Sequence, residues 1–357
     1  MSVQLKISGT IYDGWETASV SRGLNCMASS FDLTVSDRFI GSKQNIPLDK
    51  ECQILIDGAP VITGYLDEIT PSYSASSHDV TFSGRSKTCD LVDCSAVIDT
   101  GQVISGSPKE IIEKVIAPFG IGLVFSSDKP LSSIPDFQVQ PGETAQSIVE
   151  KVCKQTGLVY TDDAEGHLVV QSIGTGTSVG RLIHRVKNGQ NNNILSGRGK
   201  YSTRNIFRDY YVKSQMSGSD DVGGEDITGV EGHAVDRDVN RYRPIVLTGE
   251  DAMDAATAQT RAEWERSNRR AKGQPFEYTL QGWRNHTGQL WAPNSYVTIE
   301  DDFVRVSGKL IISAVKLSTG DGTTANLQLS PPDAYILSSA DQPIKSFQGW
   351  KELREGV

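Results

Sequence analysis

The sequence predicts a mainly β chain of α+β class: two small β-barrel domains with an α/β module inserted between them. Three observations carry that expectation. Apolar and polar residues alternate with period two in short runs toward both ends of the chain, as a strand with one buried face requires. Two segments with helix-capping signals fall together in the middle, near 107–116 and 144–157. Thirty-four glycines in 357 residues, with only 7% aromatic residues, suit a turn-rich β protein.

Residues 1–96 form the first predicted barrel domain. Phe31, Leu33 and Val35 alternate with Asp32, Thr34 and Ser36, and Cys52, Ile54 and Ile56 repeat the pattern. Asp57-Gly58 suits a tight hairpin turn, VITGYL returns beyond it, and Val80, Phe82 and Gly84 start a further strand. Short strands at this spacing read as a small barrel or sandwich.

Residues 97–175 change character. Ser107, Pro108 and Glu110 make a capping signal, with Ile111, Ile112, Val115 and Ile116 as one apolar face and Pro118 as the stop. GIGLVF follows as a short strand. A second helix over Thr144–Gly157 carries Ile148, Val149, Val152 and Cys153, with Gly157 as its cap and strands at LVY and HLVVQS beyond. EIIEKV and SIVEKV are similar enough to read as a small internal pseudo-repeat.

The stretch Gly174–Lys200, rich in Gly, Asn and Ser, reads as a long connector, and 217–229 as a flexible loop. A helix is predicted over 250–273. Glu250, Asp251 and Asp254 sit in its first turn, and Arg266, Arg269, Arg270 and Lys272 near its end. Its apolar face is mostly alanine (Ala252, Ala255, Ala258, Ala262), which asks for close packing on a sheet or helix. FEYTL, YVTI, KLIISAVKL and ANLQL then complete a second barrel domain over 176–330, closed by Pro331-Pro332. Residues 331–357 are a tail whose Tyr335, Phe347 and Trp350 would be out of place in water.

Composition narrows the function. A net charge of −9 disfavours a dedicated nucleic-acid surface. No window approaches the ~20 apolar residues of a membrane span, and MSVQLKISGT lacks the pattern of a secretory signal. A soluble protein made in the cytosol is expected. Five irregularly spaced cysteines (Cys26, Cys52, Cys89, Cys94, Cys153) read as small buried hydrophobes rather than a disulfide framework or redox pair.

Signals for chemistry are weak. Gly174-x-Gly176 has no helix behind it. Asp236-x-Asp238-x-Asn240 begins like a calcium loop, but Arg241 takes the place of the turn glycine and Leu247 that of the final Glu. His78, His167, His184, His233 and His286 lie far apart, and no GxSxG elbow is present. The acid pairs Asp162-Asp163, Asp220-Asp221 and Asp301-Asp302 read as solvated turns. No enzyme activity, cofactor or metal is expected. A basic cluster at Arg198, Lys200, Arg204 and Arg208 reads best as a charged rim that meets an acidic neighbouring subunit.

RGLNCMASSFDLTVSDR, the hairpin around IDGAPVITGYLDEITPSY, and VTFSGRSKTCDLVDCSA resemble the baseplate hub protein of Mu-like phages. That family is related in structure to the T-even phage hub and the N-terminal part of VgrG spikes. The likeness is densest over 15–96 and continues in element order to about residue 330. It implies a homotrimeric tube in which two barrels per chain give six around one axis. One end would hold a trimeric membrane-piercing spike and the other a hexameric tail tube, with DNA only as passing cargo and no insertion into a membrane. Its expected place is the baseplate of the virion tail, assembled in the bacterial cytoplasm. A VgrG-like secretion spike and a tail-borne cell-wall hydrolase are the alternatives. An acid-lined lumen, repelling DNA phosphate, is a further expectation. The charged residues of the signature, Arg22, Asp32, Asp37 and Arg38, then Arg85 and Lys87, are the expected interface residues.

Overall fold

The computed structural model describes residues 2–36, 46–48, 50–98, 103–174, 178–187, 189, 191–215, 228–248, 254–273 and 275–331. The N-terminal part contributes strands β1 (Val3–Ile7), β2 (Thr10–Tyr12), β3 (Thr17–Gly23), β4 (Ser30–Ser36), β5 (Glu51–Ile56), β6 (Ala59–Tyr73) and β7 (His78–Ser86). The β5–β6 turn is the one the sequence marks. Asp57 and Gly58 take φ of 51° and 83°, as a two-residue hairpin of the primed type needs. β6 is long because it serves two neighbours in turn, β5 along residues 59–65 and β7 along 64–73. Gly84 lies where β7 crosses it, since a Cβ there would run into the Tyr65 carbonyl and the Phe31 ring.

The middle part holds α1 (Cys89–Asp93), β8 (Val103–Gly106), α2 (Pro108–Ile116), β9 (Leu123–Ser126), β10 (Ile134–Gln138), α3 (Ala145–Thr156), β11 (Val159–Asp162) and β12 (Leu168–Gln171). The capping box forms as expected. Ser107 Oγ accepts the Glu110 N–H at 3.3 Å, and the Glu110 carboxylate accepts the Ser107 N–H at 2.8 Å. Helix α2 runs on into a 3₁₀ turn through Pro118 and ends at Gly120, while Gly157 caps α3 with φ 68°. Both helices bury their predicted faces in a second core over the sheet β11-β12-β9, which Met27 of the β3–β4 loop also enters.

The C-terminal part holds β13 (Ser178–His184), β14 (Ile194–Gly199), β15 (Asp209–Gln215), β16 (Thr228–Val235), β17 (Pro244–Thr248), α4 (Ala255–Lys272), β18 (Phe276–Gln281), β19 (Tyr296–Asp301), β20 (Val306–Thr319) and β21 (Thr323–Ser330). Strands β13 and β14 fall inside the predicted connector and correct it. The sequence hides β14 because Leu195 to Arg198 are all exposed, so no alternation is left to read. Most of the predicted loop 217–229, and the tail beyond Pro331, lie outside the described residues. So do Glu250, Asp251 and Ala252; α4 instead starts at Ala255, capped by Asp254, whose carboxylate accepts the Thr257 N–H at 2.7 Å. The helix packs on its own small sheet, β16-β15-β17, rather than on the second barrel set. Ala258 and Ala262 are fully buried there, and a Cβ on Gly232 would collide with the Ala258 backbone.

The expected pair of barrels is corrected in one respect. Thirteen strands join in one sheet, in the order β14-β18-β21-β20-β3-β4-β7-β6-β5-β1-β2, with β19 on β20 and β13 on β19; this described ladder is open and closes no barrel. The two sets merge because β20, like β6, is long. One of its edges carries β19 along 306–311 and then β3 along 314–319. A single apolar core runs beneath both sets.

The two sets nevertheless repeat one plan. In chain order, β1, β3, β4, β5, β6, β7 and β13, β14, β18, β19, β20, β21 are two runs of six, each with the neighbour order first, fourth, fifth, sixth, third, second. The fifth strand carries a bulge at the same place in both, between Leu66 and Glu68 and between Ile312 and Ala314. The third strands, FDLTVS and FEYTLQ, hold matching positions, Phe31 opposite Gly84 and Phe276 opposite Leu329. The first strand differs: β1 is antiparallel to β5, whereas β13 is parallel to β19.

Candidate assembly face

Cross-strand partners in a sheet point to the same face, so the pairing register defines a continuous surface. One row runs Glu68, Ser83, Asp32, Ser19, Ser318, Thr324, Gln281 across seven strands. The next runs Tyr65, Arg85, Ser30, Ser21, Lys316, Asn326, Thr279, Ser196 across eight. The opposite face of the same strands holds Val20, Phe31, Leu33, Phe82, Leu317 and Leu327, all buried. A sheet with one oily face and a hydroxyl- and amide-rich other face is built to face water or a polar partner. Its charges are of both signs: Asp32, Glu68, Asp79 and Glu277 against Arg85, Lys316 and Arg198.

The predicted interface residues separate into distinct roles. Asp32 lies on the face and accepts hydrogen bonds from Ser83 Oγ at 2.8 Å and Ser19 Oγ at 3.2 Å. Arg85 is held by Asp67 and, through two nitrogens, by Asp93, all within 2.7–3.1 Å. Those bonds raise the guanidinium above its ordinary value and lower the Asp93 carboxyl. Lys87 pairs with Glu51 at 2.8 Å. Arg22 donates to the Asp162 carbonyl at 2.9 Å, bracing β3 against the middle module. Asp37 and Arg38 lie outside the described residues.

That brace is part of a junction that the sequence reading missed. Asp162 is 2% exposed and accepts the Ser29 hydroxyl at 2.6 Å and the Ser29 N–H at 3.0 Å. Thr161 Oγ1 donates to the Gly23 carbonyl, and the Asn25 N–H to that of Tyr160. The loop from β3 to β4 thus clasps β11. At the matching place in the second run, between β14 and β18, the chain inserts β15–β17 and α4. Asp162 and Asp301 are both buried, which corrects the reading of their acid pairs as solvated turns; Asp301 accepts the N–H groups of Phe303 and Val304.

Other candidate centres resolve into structure. Asp236 and Asp238, read as the start of a calcium loop, both pair with Arg270 of α4. Asp163, Glu165 and His167 gather at the β11–β12 turn, where Asp163 Oδ1 accepts the N–H groups of Glu165 and His167, and His167 Nδ1 lies 2.9 Å from Oδ2. A cleft between α3 and α4 holds two acids, each paired with a base: Glu150 with Lys154, and Glu265 with Arg261 and Arg269. All five cysteines are free; Cys52, Cys89 and Cys153 are buried as expected, but Cys26 and Cys94 are exposed.

Comparison with known proteins gives this sheet a context. The chain is 30% identical over 345 residues to the baseplate hub protein gp44 of Escherichia phage Mu, covering 94% of this chain and 89% of the relative. The chain belongs to the Mu-like baseplate hub family. Residues 2–86 match the N-terminal domain of the Mu phage baseplate assembly protein GpP-like family, 88–172 the second domain of the gp44-like hub, and 254–338 the fourth domain of GpP. The crystal structure of the 43 kDa tail protein of prophage MuSo2 from Shewanella oneidensis is similar at TM-score 0.81 and 32% identity, over 94% of this chain and all of the other. A tail protein from Neisseria meningitidis MC58 shares the fold at TM-score 0.80 and 22% identity, over 93% and 98%. As a baseplate hub protein, this one is part of the virion tail.

Proposed function

We propose that this hub protein is a homotrimeric symmetry adapter, seating a hexameric tail tube on one side and a trimeric membrane-piercing spike on the other. The observation that carries the reading is the doubled six-strand plan. Three chains with two near-equivalent repeats each present six similar sheet segments around one axis, while each whole chain repeats only three times. A three-fold partner can then bind features unique to one repeat, and a six-fold partner features common to both.

The work is done by interfaces and requires no catalytic step. The polar sheet face is the proposed lumen. Its hydroxyls, amides and mixed charges offer DNA phosphate neither a basic groove nor a repelling wall, so the genome passes as cargo. The baseplate is assembled in the host cytoplasm before the tail is complete. Light scattering of the purified chain tests the adapter directly. A stable species at three times the chain mass of 38.8 kDa is expected. A dimer or tetramer, whose repeats cannot make a six-fold set, would refute it.

A further inference from the structure

Between α3 and α4 lies a cleft of about 460 Å³, within the ~300–1,000 Å³ usual for ligand sites. Its walls are mainly hydrogen-bonding side chains. Asn268 of α4 lines it, is only 3% exposed, and has no hydrogen-bond partner among the described residues. A buried amide left unpaired costs stability, so its bonds fall to whatever occupies the cleft. Gln146 of α3, Asn25 of the β3–β4 loop and Asn205 ahead of β15 bring three more amides to the same space. We propose that this cleft binds a small saccharide, a mono- or disaccharide, with Lys272 placed to prefer one that carries a carboxylate. The proposal stands apart from the trimeric reading.

The lining selects that class by what it offers and by what it lacks. A carboxamide presents an acceptor beside two donors, and a sugar hydroxyl both donates and accepts, so amides on several walls suit a polyhydroxylated ring. Tyr160 of β11 adds a hydroxyl beside Gln146. A metal or a cationic ligand would need free acids. Here Glu150 is paired with Lys154, and Glu265 with Arg261 and Arg269. A phosphate chain would be repelled by those same two carboxylates. An extended peptide asks for a free strand edge or an apolar groove. The β11 edge is already met by Asn25, whose N–H donates to the Tyr160 carbonyl at 2.8 Å.

Two residues carry the specificity. Lys272, exposed in the last turn of α4, makes no ion pair among the described residues, while the other charges lining the cleft cancel in pairs. It leaves the cleft with one net positive charge, which favours a ligand with a single acidic group. Asn268 is the second. Asparagine is a poor helix former, and this one sits inside α4, where leucine would supply both propensity and burial. An amide held there without a partner serves the cleft rather than the helix. Trp264 reports on the site, since it lines the cleft with its ring 5.0 Å beneath the Arg261 guanidinium.

Titration of the full chain followed by tryptophan emission tests the site. Glucuronic acid and galacturonic acid should change the emission saturably, and the change should be lost in Trp264→Phe. Glucose should bind roughly tenfold more weakly, and triglycine not at all. Asn268→Leu should weaken glucuronic acid binding by roughly tenfold or more, while its thermal midpoint equals or exceeds that of the parent, because an unpaired buried amide has gone. Asn268→Ala, which only removes atoms, gives the same reading on binding if leucine overfills the cleft. Lys272→Ala, a surface change, should fold as the parent does and bind glucuronic acid no better than glucose. No saturable change with any of the three sugars would overturn the site, as would a response to triglycine in their place. Glucuronic acid binding left unchanged in Asn268→Ala would also overturn it.

Discussion

Replacing Asp162 by alanine should loosen the middle module from the first sheet. The buried carboxylate accepts two hydrogen bonds from Ser29, at 2.6 Å and 3.0 Å, and no water-exposed route replaces them at 2% exposure. Bonds to a charged acceptor contribute about 1.5–3 kcal/mol each, and buried donors left unmade cost more than bonds never formed. Because the two fall on the two oxygens of one carboxylate and are not additive, a loss of roughly 3–5 kcal/mol is expected for Asp162→Ala. Asp162→Asn keeps the shape and one acceptor oxygen, so about 1–2 kcal/mol is expected there. The Ser29 N–H retains a second acceptor in Ser86 Oγ at 3.1 Å, which limits the damage to the hydroxyl side in the asparagine variant. Urea titration followed by tryptophan fluorescence reads the loss, and hydrogen exchange at residues 23–29 and 159–162 locates it. A midpoint for Asp162→Ala equivalent to less than about 0.5 kcal/mol would show that the clasp is incidental and that the module is held by its apolar contacts.

Three further outcomes follow from the same packing. Gly232→Ala should cost about 1–3 kcal/mol or more by pushing α4 away from β16, because the new Cβ meets helix backbone that cannot rotate aside; thermal unfolding measures it. Native-state alkylation at pH 8, read by mass spectrometry, should modify the exposed Cys94 first and Cys26 more slowly, since burial and then Asp162 push the Cys26 thiol up, and should spare the other three. Burial pushes Cys52 and Cys89 up to about 12, so in the closed fold they are both covered and protonated. Burial also works against ionisation of Glu143, but Lys151, Ser147 and the Gln140 N–H outweigh it and hold the carboxyl below its ordinary value of 4.5. A lowered folded value means that this stabilisation is complete above the unfolded value and is lost as pH falls through the folded one. The urea midpoint of Glu143→Gln should therefore lie below that of the parent at pH 7, and the gap should close under acid.

What could be read in advance depended on whether a residue has one buried side. Strands β4 and β18 alternate strictly, β5, β7 and β19–β21 alternate over part of their length, and α2 and α3 carry N-terminal caps, so periodicity and capping place them. Strands β13 and β14 were lost because Gly180, Gly197 and Gly199 interrupt them and the exposed stretch of β14 has no inner face to signal. The same defect hid the candidate assembly face. Its serines and threonines are ordinary in composition and acquire meaning only through register, which links Glu68 to Gln281 across seven strands. A signal was nevertheless present: FDLTVS and FEYTLQ share their polarity position by position and sit at the same rank in two runs of strands. The merging of two expected barrels into one sheet was not legible, since it depends on which edge of β20 accepts β3. Three of the interface residues suggested by charge also make contacts within the chain, for a simple reason. Arg22, Arg85 and Lys87 are long side chains at strand ends, and neighbouring acids or carbonyls within the chain reach them first.

The most direct test of the account is electron microscopy of the purified chain, averaged without imposed symmetry. The doubled plan predicts a ring of three copies with six nearly equal lobes lining its wall and three-fold order at its outer edge. A ring of three with only three lobes, or particles with no ring at all, would contradict it.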